Sequence, residues 1–377
     1  MTGQNSLSRS LRFFRWPVAL LATVLLIGCG EKEPIRIGFI GPVSGRNADL
    51  GAGGRNGVQL AVEQANAAGG VNGRKIELIF KDDQGSVEIG KREVAVLLAN
   101  KVEAILGPMT SGVALAVTPL ANEAQVLLIA PSVATNELAG KDDYFFRTIA
   151  TTRLHAKTMA KHLFGREVRR VSLLVEQTNR AYTESWSSDF KIAFEPLGGA
   201  VTHVVQYASG AEVDFASLSR ELGKAKPDAI ILVTSGVDAA LVINQLDIQG
   251  SKALRVTTEW AGSGKLIELG GDKTNGAIVP QYFDPSSTLP AFVAFREAYR
   301  TRFQEMPGFP AVNAYNATRV VLDGIKRRSG AASLKSVILA QRRYEGLLEP
   351  IEFDDFGDVQ SRTYITTVKD GRYVVND

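Results

Sequence analysis

The sequence predicts an α/β protein of two doubly wound units, each a parallel sheet with helices on both faces. Three observations predict it. From Ile35 onward, short apolar runs alternate with segments of helical period. The alternation starts afresh after Phe146-Arg147-Thr148. The chain has 377 residues, 45% of them hydrophobic, enough to build two such units around sizeable cores and too apolar for a disordered chain.

The elements follow in order. Ile35-Arg36-Ile37-Gly38-Phe39-Ile40 reads as a strand that ends in a Gly-Pro-Val-Ser-Gly loop. Val58, Ala61, Val62 and Ala65 recur at helical spacing, and Gly69-Gly70 stops that helix. Residues 76–80 form the next strand and 87–100 a helix. Ala104-Ile105-Leu106-Gly107 is a third strand, Val113, Ala116, Val117 and Leu120 line a helix, and 127–130 is a fourth strand. In the second unit, strands are expected at 171–175, 201–207, 229–234 and 254–259, with helical segments between them. Helical patterns at 291–303 and 311–328 come with too few strands to stand alone, so this part returns to complete the first unit. No solenoid repeat or low-complexity stretch interrupts the pattern. Two sheets joined in this way leave a cleft at the carboxyl ends of their strands, where such sheets bind ligands.

The first residues read as an address rather than as fold. Arg9, Arg12 and Arg15 make a basic stretch without acids, followed by an apolar run from Trp16 to Ile27 that is too short to span about 30 Å of hydrocarbon as a helix. Leu26-Ile27-Gly28-Cys29 then resembles the bacterial lipobox, and Cys29 is the only cysteine in the chain. Residues 1–28 are therefore expected to be a lipoprotein signal peptide, with Cys29 lipidated and 29–34 a polar tether. The net charge of +3 equals the three arginines of the signal, so the body is formally neutral and gives a nucleic-acid partner no electrostatic support. One cysteine excludes an intrachain disulfide, zinc fingers and iron–sulfur ferredoxins.

Enzymatic constellations are weak. The three histidines, His155, His162 and His203, have neither metal-ligand nor triad spacing, and no GxSxG elbow, Walker loop or HExxH occurs. The glycine-rich stretch Gly51–Gly57 has the spacing GxGxxxG and lies about ten residues beyond its strand, so it reads as a flexible helix-entry loop rather than a dinucleotide turn. Loops at the strand ends are more informative. Ser111 is placed as the N-cap of a helix, where free backbone N–H groups and the positive dipole end either receive a carboxylate or are merely capped. Ser132, Ala134 and Thr135 offer hydroxyls and N–H groups at the same edge. In the second unit Tyr182 follows the first strand, and Glu259 ends a strand beside Trp260. An acid there balances an ammonium or is simply solvated. Together the two faces make a site for a zwitterion.

Several motifs stand in a characteristic order: the lipobox, Ile37-Gly38-Phe39-Ile40-Gly41-Pro42-Val43-Ser44-Gly45, the run from Gly57 to Asn66 and Gly69-Gly70-Val71-Asn72-Gly73. Asp82-Asp83, Gly107-Pro108, Ala130-Pro131-Ser132 and the run from Ile351 to Asp358 follow. In these the chain resembles the periplasmic leucine/isoleucine/valine-binding protein family, the solute receptors of branched-chain amino-acid ABC transporters. The resemblance implies a type I periplasmic-binding fold, two doubly wound lobes joined by three hinge crossings. One lobe would hold 35–148 plus 283–347 and the other 149–282 plus 348–377. It implies ligand capture by closure, delivery to an inner-membrane permease, no catalysis, no cofactor and no metal. By position, Ser111 matches the serine that holds the ligand carboxylate. Ser132 and Ala134 or Thr135 match the loop that completes that grip, Tyr182 a cleft tyrosine, and Glu259 the acid that pairs the ammonium. Leu50, and Ser235 or Gly236, stand where many relatives have aromatic residues, so the resemblance implies an amino acid or close analogue rather than strictly leucine. A receptor of the same fold for an amide, urea or aromatic acid, and a sensor serving a signalling partner, remain open. The expected protein is a monomer in the periplasm or at the cell surface, lipid-anchored to a membrane at Cys29.

Overall fold

The computed structural model describes residues 32–210 and 212–376. The expected signal peptide and Cys29 lie outside the described residues. The body begins with β1 (Ile35–Gly41), α1 (Ala48–Ala67), β2 (Ile76–Asp82), α2 (Val87–Ala99), β3 (Ala104–Leu106), α3 (Ser111–Ala124), β4 (Leu127–Ala130) and β5 (Phe145–Arg147). These five strands pair in the order β2-β1-β3-β4-β5, all parallel. Alternate residues face opposite layers. Ile37, Phe39, Leu106 and Ile129 belong to one core cluster, while Ile40, Ile105 and Leu128 pack in another with Val94, Leu97, Val113 and Val117 of α2 and α3.

The second sheet follows from α4 (Thr152–Gly165), β6 (Arg170–Glu176), α5 (Arg180–Phe194), β7 (Ala200–Tyr207), α6 (Phe215–Gly223), β8 (Ala229–Val233), α7 (Gly236–Ile248), β9 (Leu254–Thr257), α8 (Gly264–Gly270) and β10 (Ile278–Gln281). The chain then forms α9 (Pro290–Phe303), α10 (Phe309–Arg327), α11 (Leu334–Gln341), the ribbon β11 (Arg343–Tyr344) with β12 (Ile351–Glu352), and a last hairpin, β13 (Tyr364–Lys369) with β14 (Arg372–Val375). The hairpin joins the second sheet antiparallel to β10, giving the order β14-β13-β10-β9-β8-β6-β7. Helix α10 packs along α1 of the first sheet. The chain thus passes between the sheets three times, after β5, after β10 and before β13.

Two local readings of the sequence need correction. Gly51–Gly57 is not an entry loop but part of α1. A Cβ at Gly51 would run into the Pro42 carbonyl, and one at Gly57 into the Ala311 carbonyl of α10. The glycines therefore serve close backbone approach rather than flexibility. Ser111 is not the N-cap of α3; Thr110 holds that position, with extended backbone, and Ser111 is the first helical residue. Gly107, at φ 106, makes the turn from β3 into this loop, where a side chain would strike the Ile40 carbonyl.

Arg147, at the end of β5, is fully buried. It donates to the Val133 and Thr135 carbonyls at 3.3 and 2.8 Å and pairs with Asp358 at 2.5 Å. One guanidinium thereby fixes the loop after β4 against the third crossing.

Candidate ligand-binding cleft

The carboxyl ends of the two sheets face each other, and their loops enclose a cavity of about 10 Å³, room for one water molecule. The first lobe supplies Leu50, Met109, Ser111, Ser132 and Phe309. The second supplies Asn179, Tyr182 and Trp260, and Tyr282 stands at the second crossing. Four of these are aromatic. Tyr182 meets Trp260 edge-on at 5.7 Å between centroids, and Tyr282 meets Phe309 at 5.0 Å. Ring faces of this kind attract a cation as well as apolar groups.

The first lobe's wall is made of the loops after β3 and β4. Ser111 and Gly112 open α3, where N–H groups have no partner within the helix and the dipole favours negative charge. Asn179, from the other lobe, reaches across so that its Oδ1 accepts from the Gly112 N–H at 3.1 Å. Ser132 is half-buried, and its hydroxyl donates to the Met109 carbonyl at 2.7 Å. Ala134 and Thr135 are buried but do not line the cavity; the Thr135 hydroxyl accepts from the Glu137 N–H and caps a short 3₁₀ helix.

The second lobe's wall carries a buried acid. Glu259 does not end β9 as the sequence pattern suggested. It lies two residues further on, at the start of the 3₁₀ helix Glu259–Ala261, because β9 stops at Thr257. It has no solvent exposure and sits directly behind Tyr182, whose hydroxyl donates to Oε2 at 3.5 Å. The Trp186 indole faces the same carboxylate without completing a well-formed hydrogen bond. Oε1 has no hydrogen-bond partner among the described residues, and the nearest basic atom is His155 Nδ1 at 3.8 Å. Burial pushes the Glu259 carboxyl up to about 7. The same cause pushes His155 down to about 4, so the imidazole is neutral near pH 7 and does not balance the acid. His155 Nδ1 is 2.6 Å from the Thr363 hydroxyl, just before β13, and its ring stands edge-on to Tyr282.

Contacts outside the cavity also join the lobes. Arg46, in the loop before α1, pairs with the fully buried Asp238 of α7 at 2.6 Å and donates to the Gly210 carbonyl. Asp238 further accepts from Tyr207 and Ser209 hydroxyls at 2.7 and 2.6 Å. Asn136 donates to Asp189 at 2.7 Å and Ser185 at 3.0 Å on α5. These bonds hold the lobes closed.

Of the residues singled out in the sequence, Ser111, Ser132 and Tyr182 reach the cavity wall and Glu259 lies immediately behind it. Sequence reasoning missed Asn179, Tyr282, Phe309 and the Arg46–Asp238 pair. An asparagine before a helix is an ordinary cap, and nothing local marks a contact 192 positions away. Tyr282, directly after the last parallel strand of the second sheet, carried a positional signal.

A closed cleft between two doubly wound lobes, lined by helix-terminal N–H groups on one side and backed on the other by a buried acid with one oxygen unpartnered among the described residues, defines a type I solute-binding receptor. The chain belongs to the periplasmic binding protein family, which it matches over residues 34–372. It is 27% identical over 339 residues, 87% of this chain and 88% of the relative, to the leucine-, isoleucine-, valine-, threonine-, and alanine-binding protein of Pseudomonas aeruginosa. The substrate-binding protein of a branched-chain amino acid transporter from Streptococcus pneumoniae, solved with isoleucine, superposes with a TM-score of 0.83 at 25% identity, covering 90% of this chain and 97% of that one. A solute-binding protein from Rhodopseudomonas palustris, solved with 3,4-dihydroxybenzoic acid, gives 0.82 at 26% identity, covering 90% and 95%. The family is one of receptors rather than enzymes, and membership places the body outside the cytoplasm. Among the described residues no helix is long and apolar enough to cross a membrane.

Proposed function

We propose that this receptor captures an α-amino acid between its lobes and delivers it to an ABC transporter permease. The observation that carries the reading is Glu259: a carboxyl without solvent exposure, its Oε1 without a hydrogen-bond partner among the described residues, opposite a helix N-terminus. Burying a charge is costly unless it is paired and hydrogen-bonded. A ligand ammonium beside the Tyr182 hydroxyl supplies the missing partner, and the ligand carboxylate meets the N–H groups and hydroxyls around Ser111 and Ser132. Ala134 and Thr135 then act by shaping the loop. The lobe boundaries follow the three crossings, and closure is the population shift that the bridging ligand drives. The relative from Pseudomonas aeruginosa is named for binding leucine, isoleucine, valine, threonine and alanine, and Leu50 and the four rings are the groups that would meet such side chains here.

A second reading rests on the same wall. Four aromatic rings, together with an acid that is half protonated near pH 7, suit an aromatic acid, which needs no ammonium acceptor. A thermal-shift screen of the body against amino acids and aromatic acids separates the two. A ligand at about 100 times its Kd adds about 2.7 kcal/mol of stability. Shifts with α-amino acids that vanish in Glu259→Gln support the first reading; shifts confined to acids without an ammonium overturn it.

The remaining proposals concern location. Cys29 is lipidated after removal of residues 1–28, the receptor is a monomer, and the anchor keeps it at a membrane surface. Several acyl chains give the stable attachment that one chain does not. Membrane fractionation of Cys29→Ala checks this, with release of the protein as the expected result.

A further inference from the structure

We infer that Asn179 is a ligand-reading residue, the second lobe's donor to the ligand carboxylate; the inference rests on the amino-acid reading above. Asn179 is 7% exposed and lines the cavity beside Ser111 and Ser132. The Gly112 N–H can only donate, so the Asn179 atom facing it at 3.1 Å is the amide oxygen and not the nitrogen. That single bond fixes the plane of the amide. Its NH₂ group makes no hydrogen bond to the protein among the described residues and is not sealed from solvent, so both N–H groups are available to a ligand oxygen. The backbone N–H of Asn179 is tied to the buried Glu176 carboxylate at 3.0 Å, which holds the main chain that carries the amide in place.

A helix N-terminus from one lobe and a buried amide donor from the other therefore converge on one small volume. A carboxylate there accepts from α3 on one side and from Asn179 on the other. The carboxylate pole then bridges the lobes, as the ammonium pole does through Glu259. Ligand acidity is sensed twice: by the dipole of α3, which any anion satisfies, and by an oriented amide, which rewards an oxygen acceptor at one place.

The test is calorimetric titration of the twenty common L-α-amino acids, and of the α-amide of the tightest binder, into the unaltered receptor, Asn179→Ala and Asn179→Asp. Hydrogen bonds to charged groups exceed neutral ones. Asn179→Ala is expected to weaken the amino acid about 10-fold to 100-fold and its α-amide several-fold less. Asn179→Asp keeps an acceptor for Gly112 but sets a negative charge against the carboxylate, and should weaken the amino acid further. Equal losses for acid and amide would mean that Asn179 only ties the lobes together, and overturn the inference. So would a gain of affinity in Asn179→Ala, which would make the side chain a plug that the ligand displaces. If the unaltered receptor binds none of the twenty, the amino-acid reading fails and takes the inference with it. If it binds one and Asn179→Ala binds it equally well, the inference alone fails. Ligand-free melting temperatures of the variants verify that each has folded.

Discussion

On the first lobe's wall, two of the side chains that were expected to grip a ligand are already engaged: Ser132 donates to Met109, and Thr135 caps its own 3₁₀ helix. On the second lobe's wall, Glu259 Oε1, His155 Nε2 and the Trp186 indole nitrogen have no hydrogen-bond partner among the described residues. On the proposed reading, one wall would recognise with the backbone, whose donors are fixed by the helix they open. The other, on the amino-acid reading, would recognise with a buried carboxyl that is neutralised by a proton or balanced by a ligand cation. The difference teaches where mutation should matter: removing a hydroxyl from the first wall trims the fit, whereas removing the charge from the second deletes a reason for binding.

The largest effect is therefore expected from Glu259→Gln. It is isosteric, and it should weaken α-amino acids by about 2–5 kcal/mol, or about 30-fold to several-thousand-fold, in calorimetric titration. Above pH 7 the ligand-free variant should melt no lower than the unaltered protein, since a buried charge has been removed without changing shape. A loss of folding would break the comparison by making Glu259 a structural group.

Next in size is the response to pH. The Glu259 carboxyl takes up its proton near 7 rather than near its ordinary 4.5. Between roughly those values the ligand-free folded protein holds a proton that the unfolded chain lacks, so this group favours the fold at the acid end and ceases to as pH rises through 7. Ammonium binding requires the ionised form and releases the proton. Affinity for an amino acid should rise by up to about tenfold per pH unit towards 7 and level off above it. His155, pushed down to about 4, stays neutral over that range, and Tyr182 and Tyr282 are held neutral by burial, so of these neighbouring groups only Glu259 titrates there. Titrations at several pH values check this, and the slope should be absent in Glu259→Gln.

A smaller effect is expected from Arg46→Met. Arg46 is partly exposed and Asp238 keeps its Tyr207 and Ser209 donors, so the variant should lose about 1–2 kcal/mol of closure, about tenfold in Kd. The ranking of ligands should not change, and small-angle scattering should show a more open ligand-free form. The smallest effect belongs to Ser132→Ala. Its hydroxyl serves Met109, so affinity should fall by about 1 kcal/mol or less. A loss as large as that of Glu259→Gln would erase the contrast between the walls.

The alternation of apolar strands and helical periods was legible because burial on both faces writes it locally, from Ile35 to Ala130 and again from Val171 to Thr257. The cleft loops were legible for a similar reason, since strand ends in doubly wound sheets have a fixed position. The last hairpin was not. Tyr364–Val375 is short and pairs antiparallel on β10, so it lacks the continuous apolar run of a central strand. The glycines of α1 misled because their purpose, contact with Pro42 and α10, is tertiary. Asn179 and Arg46 act across the cleft, and a single chain carries no mark of which distant residue each will meet.

The Arg46–Asp238 pair has a consequence for how such receptors diversify. It lies outside the cavity, so this part of the strength of closure is set by residues that do not line the cavity. A duplicated gene can exchange Leu50 or Trp260 for a new cargo and inherit its clasp unaltered. Conversely, a lineage facing scarcer nutrients can tighten capture at position 46 without relearning which molecule to hold.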